Sequence, residues 1–157
     1  MPKITPFLWF NGQAEEAMNF YLSIFKNSKV GSVTRYGDAG PGPKGSVMTA
    51  SFQLDGQTFT ALNGGPEFQF TEAVSFVVHC ENQQEVDYYW DKLTAGGKAV
   101  QCGWLKDKYG LSWQIVPVAL FRLLEGPDPK KTQRVMQALM KMTKLDIATL
   151  ENAAQQA

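Results

Sequence analysis

Two stretches of this chain carry the same helical stripe, and that repeat constrains the fold more than any other feature. Ala17, Phe20, Tyr21 and Ile24 fall at i, i+3, i+4 and i+7. Val86, Tyr89, Trp90 and Leu93 repeat the spacing 69 residues on, counted from Ala17 to Val86. Such spacing puts the apolar side chains on one face of a helix. Each stripe has acids in its first turn, Glu15–Glu16 and Glu85, where the positive end of the helix dipole favours them. Each follows an apolar run that reads as a strand, Phe7–Phe10 and Val74–Val78. Asn11 and Asn82 are the expected N-caps, and Gly96-Gly97 ends the second helix. An internal repeat of this kind predicts two copies of one supersecondary unit.

Three strands follow the first helix. Val30 to Tyr36 is rich in β-branched residues and leads into Gly37 to Gly45, which holds four glycines and two prolines. That segment is expected to be the most mobile internal stretch and to serve as a lid. Ser46 to Leu54 alternates apolar and polar residues, and Asp55-Gly56 then marks a two-residue hairpin. The return strand is Gln57 to Asn63. The turn pairs Phe52 with Phe59, Ala50 with Ala61 and Ser51 with Thr60, giving one apolar face and one hydroxyl-rich face. In the second copy, Ala99 to Leu105 and Leu111 to Val116 are strands around an Asp107–Gly110 turn. The order is βαβββ twice. Val118 to Ala157 reads as a helical tail, with Gly126-Pro127 as a break, Asp128 and Pro129 opening one helix and Asp146 capping the last.

A chain of 157 residues with 44% hydrophobic residues can bury a core as one domain. Lys+Arg and Asp+Glu both number 15. The resulting zero net charge argues against nucleic acid and anionic membrane surfaces as partners, because phosphate binding needs a basic excess. No run approaches a membrane span of roughly 20 apolar residues. Cys80 and Cys102 form no CxxC pair, and both are expected to be free thiols of a cytoplasmic protein.

The runs Phe7-Leu8-Trp9-Phe10, Ala61-Leu62-Asn63-Gly64-Gly65-Pro66 and Gly103 to Trp113 resemble the PhnB-like branch of the vicinal-oxygen-chelate superfamily. That branch is often labelled 3-demethylubiquinone-9 3-methyltransferase-like, and the likeness is read as taking in nearly the whole chain, tail included. The resemblance implies an α+β fold: two βαβββ modules forming curved mixed sheets around a cleft, plus a C-terminal helical tail. As a single domain it would hold module one at about 3–66, module two at about 72–117 and the tail at 118–157. Metal enzymes of the superfamily draw His, Glu or Gln ligands from the outer strands of each module. The matching positions here are Pro6 or Ile4, Asn63 or Ala61, Ser75 or Ala73, and Gln114. None is His, Glu or Asp, so no metal and no cofactor are expected.

The expected function is therefore metal-independent binding of a small molecule in an aromatic-lined cleft. The candidate ligand-binding residues are Asn63, Gln114, Ser75, Trp104, Phe10 and His79. Asn63 and Gln114 either face a ligand or satisfy neighbouring backbone, and Trp104 either closes the cleft or packs on the tail. His79, the lone histidine, serves structure or proton transfer. Two alternatives remain: a divalent-metal lyase, isomerase or dioxygenase of the same superfamily, and a ligand-free structural or regulatory dimer. The methyltransferase label is read as a family name, since no Gly-rich loop opens a helix as in nucleotide-type folds. A homodimer is expected. The resemblance implies it, and its physical reason is the tail stripe Val135, Leu139 and Met142, flanked by Met136 and Met140, which needs a covering surface; the alternative is that the tail folds back onto its own sheet. Lys130, Lys131, Arg134, Lys141 and Lys144 are read as the solvated face of the tail.

Overall fold

The chain is described from a computed structural model covering residues 2–156. It divides into two compact units, Met1–Phe70 and Thr71–Ala157, and the expected repeat appears as one sheet in each. In unit 1, strand β1 (Phe7–Phe10), helix α1 (Ala14–Ile24) and strands β2 (Ser28–Arg35), β3 (Val47–Leu54) and β4 (Gln57–Asn63) make a sheet of order β1-β4-β3-β2. In unit 2, β5 (Ser75–Cys80), α2 (Gln83–Thr94), β6 (Lys98–Ala99), β7 (Trp104–Lys106) and β8 (Ser112–Pro117) make a sheet of order β5-β8-β7-β6. The first and last strands of each module run parallel and the other pairings are antiparallel. The fold is mixed α+β, with two four-stranded mixed sheets and five helices among the described residues.

Helix α1 closes one face of the first sheet. Tyr21, wholly buried, stacks on Phe52, which stacks on Phe59. By register, Leu8, Phe10, Ala50, Ala61 and Asn63 lie on that same closed face. The opposite face carries Phe7, Trp9, Thr49, Ser51, Gln53, Thr58 and Thr60. The hairpin is the expected one. Phe52 pairs with Phe59 and Ala50 with Ala61, across a turn in which Asp55 and Gly56 both have positive φ, 49° and 82°.

Two glycine clusters answer to rings. The Trp9 indole donates to the Gly65 carbonyl at 2.9 Å and lies so close to Gly64 that a Cβ there would meet ring atoms at 2.4 Å. The Gly37–Gly45 loop has an apolar anchor that the sequence reading did not give it. Tyr36, 7% exposed, tucks its ring under the loop, where a Cβ at Gly42 would meet it at 2.3 Å.

Local chemistry starts most of the helices where the sequence places them. Asn82, Asp128 and Asp146 each accept the backbone N–H three residues on. Asn11 does not cap α1, whose N-cap position is Gln13 and makes no side-chain cap bond. The stretch read as one strand from Ala99 to Leu105 is split between β6 and β7, because Cys102 and Gly103 both turn through positive φ.

The tail folds as α3 (Val118–Leu124), α4 (Pro129–Leu139) and α5 (Ile147–Gln155). It is part of unit 2. Val135 and Leu139 are buried with Val116, Leu120, Leu145 and Leu150, and Met142 packs against that cluster. The stripe that called for another surface is thus covered within its own unit, leaving only Met136 and Met140 exposed. Of the five cations read as the solvated face of the tail, two have fixed partners. Arg134 donates to the carbonyls of Ala153 and Ala154, and Lys144 pairs with Asp87 at 2.9 Å. The segment before α5 is also tied to α2 by Gln83, which donates to Leu145 O and accepts from Ile147 N. No helix among the described residues is long and apolar enough to cross a membrane.

Gly64→Ala should disrupt the Trp9 seat. A destabilisation of about 1–3 kcal/mol, the usual cost of overpacking, is expected in urea unfolding followed by tryptophan fluorescence. An unchanged midpoint would contradict the contact.

Candidate functional site

The face of the first sheet turned away from α1 is built from period-two alternation. Alternate residues of β3 and β4 face the helix and, Gln57 and Asn63 at the ends of β4 apart, are apolar, which leaves the hydroxyls on the other side. There Ser51 Oγ accepts the Ser32 N–H at 2.7 Å, and Thr34 and Thr49 hydroxyls meet at 2.6 Å. Gly31 permits this approach, since a Cβ there would sit 2.3 Å from Ser51 Oγ, at a bulge between Val30 and Val33. Over this face lies a cavity of about 480 Å³ lined by Phe7, Lys29, Ser32, Ser51, Gln53 and Thr60, among others. Phe7 is 62% exposed and offers an apolar wall, and Lys29 offers the cation. Sequence reasoning named none of these as ligand contacts, although the alternation that exposes the hydroxyls was visible in the hairpin.

The sequence-derived candidates fall elsewhere. Phe10 is 3% exposed, on the closed face, edge-on to Phe70. Asn63 is also on the closed face. Its Oδ1 accepts the N–H of Ala14 at 2.9 Å, and its Nδ2 donates to the Val47 carbonyl at 3.1 Å. Its own carbonyl accepts the Tyr36 hydroxyl. Asn63 thus supplies, from 49 residues away, an acceptor for the start of α1. A second cavity of about 300 Å³, under the Pro41–Pro43 loop, is lined in part by Asn63 and Tyr36, and the loop borders this cavity and not the hydroxyl one.

In unit 2, Ser75, Gln114 and Trp104 come together on the face turned away from α2. Gln114 Nε2 donates to Ser75 Oγ at 2.9 Å, and Trp104 is the cross-strand partner of Gln114. His79 is on the same face, exposed, with its ring 5.5 Å from Phe121 of α3. On the α2 face, Asp107 is 2% exposed and fully engaged: Oδ1 accepts the N–H groups of Tyr109 and Leu111, and Oδ2 accepts the Trp113 indole N–H. This carboxylate organises the Asp107–Gly110 turn. Cys80 and Cys102 are free thiols. Burial, reinforced by Glu85 and Glu81, pushes the Cys80 thiol up to about 12, so it is protonated and a poor nucleophile at neutral pH. The Asp87 carboxyl is held below its ordinary value by hydrogen bonds from Lys144 and then Gln83.

A divalent ion of the superfamily type does not fit these donors. In unit 1 the matching outer strands present Phe7, Trp9, Thr60 and Leu62 to the open face. The positions chosen from sequence in β4, Ala61 and Asn63, point the other way, because one residue of register reverses the face. In unit 2 the outer strands offer Ser75, His79 and Gln114, a single imidazole among neutral oxygens. No group of three or more His, Cys, Asp and Glu able to hold a metal ion occurs among the described residues.

The family model described as 3-demethylubiquinone-9 3-methyltransferase matches residues 2–116. The chain belongs to this PhnB-like family of the vicinal-oxygen-chelate superfamily. The PhnB protein of Bacillus cereus is 43% identical, with a TM-score of 0.68 over 74% of this chain and 100% of that one. A Pseudomonas aeruginosa protein is 20% identical, with a TM-score of 0.62 over 74% and 98% of the two chains. The fosfomycin resistance protein FosX of Listeria monocytogenes is 15% identical, with a TM-score of 0.59 over 80% and 98%, and it shares the fold. No curated protein matches the chain. The family match stops at residue 116, so the likeness does not take in the tail as the sequence reading held. The PhnB-like family signature thus ends where unit 2 of this chain adds α3, α4 and α5.

Replacing Asn63 by Ala removes the acceptor for α1 and leaves Val47 O without its amide donor. A loss of about 1–3 kcal/mol is expected for such part-buried groups, read by urea denaturation with circular dichroism. A neutral result would show that water replaces the amide fully.

Proposed function

We propose that this PhnB-like protein binds a small molecule without a divalent metal, in the cavity on the hydroxyl face of unit 1. The observation that carries the reading is the cavity of about 480 Å³ walled by hydroxyls, an amide, Lys29 and an exposed phenyl ring. Its volume suits a metabolite-sized ligand. The chemistry of the wall selects an amphiphilic one: a polar or anionic group toward Lys29 and the Ser51–Thr60 hydroxyls, and a planar or apolar part against Phe7. Aromatic character is thus concentrated in one ring and does not line the cavity throughout.

Methyl transfer is not part of this reading. The glycine-rich segment Gly37–Gly45 connects β2 to β3 and opens no helix, so it lacks the phosphate- and nucleoside-holding arrangement of dinucleotide-type folds. Nucleophilic catalysis in this cavity is not part of it either. Unit 1 contains no histidine and no cysteine, so its hydroxyls have no imidazole within their own unit to activate them.

A thermal-shift screen of small amphiphilic anions tests the proposal, run on protein treated with a chelator. Hits are expected to persist without metal, and a ligand at 100 times its Kd should add about 2.7 kcal/mol of stability. Lys29→Ala and Thr60→Val, both on the cavity wall, should weaken each hit about fivefold to tenfold, or roughly 1–1.4 kcal/mol. Hits that appear only when metal is restored, or that ignore both variants, would contradict the reading.

A further inference from the structure

Unit 2 carries a second polar cluster, independent of the unit 1 cavity. Lys98 of β6 and Lys106 of β7 are direct cross-strand partners. Like charges opposed in this way destabilise a sheet unless an anion lies between them. Here the anion is Glu72, in the segment ahead of β5, whose carboxylate pairs with the Lys106 ammonium. Lys106 holds the Glu72 carboxyl below its ordinary value, with a further contribution from Lys98. Lys106 holds the carboxylate directly and Lys98 stands across the strand pair from Lys106, and that carboxylate is more than half exposed. Such a pair is readily exchanged, because exposed ion pairs contribute little.

Beside this pair lies an unmet hydrogen-bonding group. Ser112 is the cross-strand partner of Lys106 on one side and the register partner of Ser75 on the other, so all three lie on the same face. Ser112 is 1% exposed, and its Oγ has no hydrogen-bond partner among the described residues. Buried hydroxyls are almost always satisfied. Its neighbour Ser75 is already engaged by Gln114. Trp104, half-buried, is two residues from Lys106 on the same strand and pairs with Gln114, which sets an indole beside the cluster.

We propose that Lys98, Lys106 and Ser112 form an oxyanion subsite for a small planar carboxylate, with Glu72 as its internal stand-in. The incoming carboxylate displaces Glu72, accepts hydrogen bonds from the Lys106 ammonium and the Ser112 hydroxyl, and rests its planar body against Trp104. Displacement is an exchange of one ion pair for another, with the Ser112 bond and the indole contact as the gain. The Glu72 segment thereby acts as a gate on the site.

Benzoate, a planar carboxylate, and inorganic phosphate, an oxyanion without a planar body, are the probes. They are titrated into the full chain and followed by NMR at the Trp104 indole N–H and the Ser112 amide. Benzoate is expected to move both signals. Glu72→Gln should tighten it about fivefold, and Lys106→Gln or Ser112→Ala should weaken it about tenfold. Ser112→Ala should leave the fold intact, since it removes a hydroxyl that has no partner. The proposal is overturned if neither signal moves in the wild type and Glu72→Gln, if Lys106→Gln responds as the wild type does, or if phosphate binds as tightly as benzoate.

Discussion

Each sheet of this chain is closed on one face by a helix, and the side of every functional residue follows from that. Tyr21 stacked on Phe52 and Phe59 fixes the closed face of the first sheet. Once those rings are in place, alternation assigns every other residue in β3 and β4. The hydroxyls of Ser51, Thr58 and Thr60 are left on the open face. Asn63 and Phe10 are taken out of reach of it. In the second module Phe76 beside Trp113 plays the corresponding part, and Ser75, Ser112 and Gln114 are left opposite.

Backbone polar groups set the remaining constraints. Asn63 and Asp107 each satisfy two backbone groups at once, one at the start of α1 and the other in the turn before β8. Both sit in runs that carry the family resemblance. Glycines mark the other fixed points. Gly64, within one of those runs, yields its side-chain space to the Trp9 ring, as Gly42 outside them does to Tyr36, so these runs record packing rather than chemistry. That is one physical reason why membership of the PhnB-like family specifies a scaffold without specifying a reaction.

What the sequence made legible was what local chemistry decides. The duplicated stripe, the Asp55-Gly56 register and the caps at Asn82, Asp128 and Asp146 depend on residues a few positions apart, and all are present. What stayed hidden depends on distant pairing. The acceptor at the start of α1 is Asn63, which reaches Ala14 only because β4 lies parallel to β1. The break at Cys102 needs a non-glycine residue at positive φ, which composition does not signal. The Lys98–Lys106 pair and the orphan Ser112 hydroxyl require the register of three strands. The tail stripe was read correctly as apolar but assigned to an outside surface, because the returning segment through Leu145 and Leu150 was not foreseen as its cover.

We propose that this vicinal-oxygen-chelate scaffold recognises a ligand directly through hydroxyls and cations and without a divalent metal. The donor set supports the reading: the matching strands offer phenyl, indole, hydroxyl and amide groups and a single imidazole, His79, where first-row metals need several imidazole or carboxylate ligands. Elemental analysis tests it most directly, on protein produced in medium supplemented with Mn, Fe, Ni and Zn and purified without chelator. The account predicts far less than one metal ion per chain. A stoichiometric divalent ion that survives dialysis would contradict it.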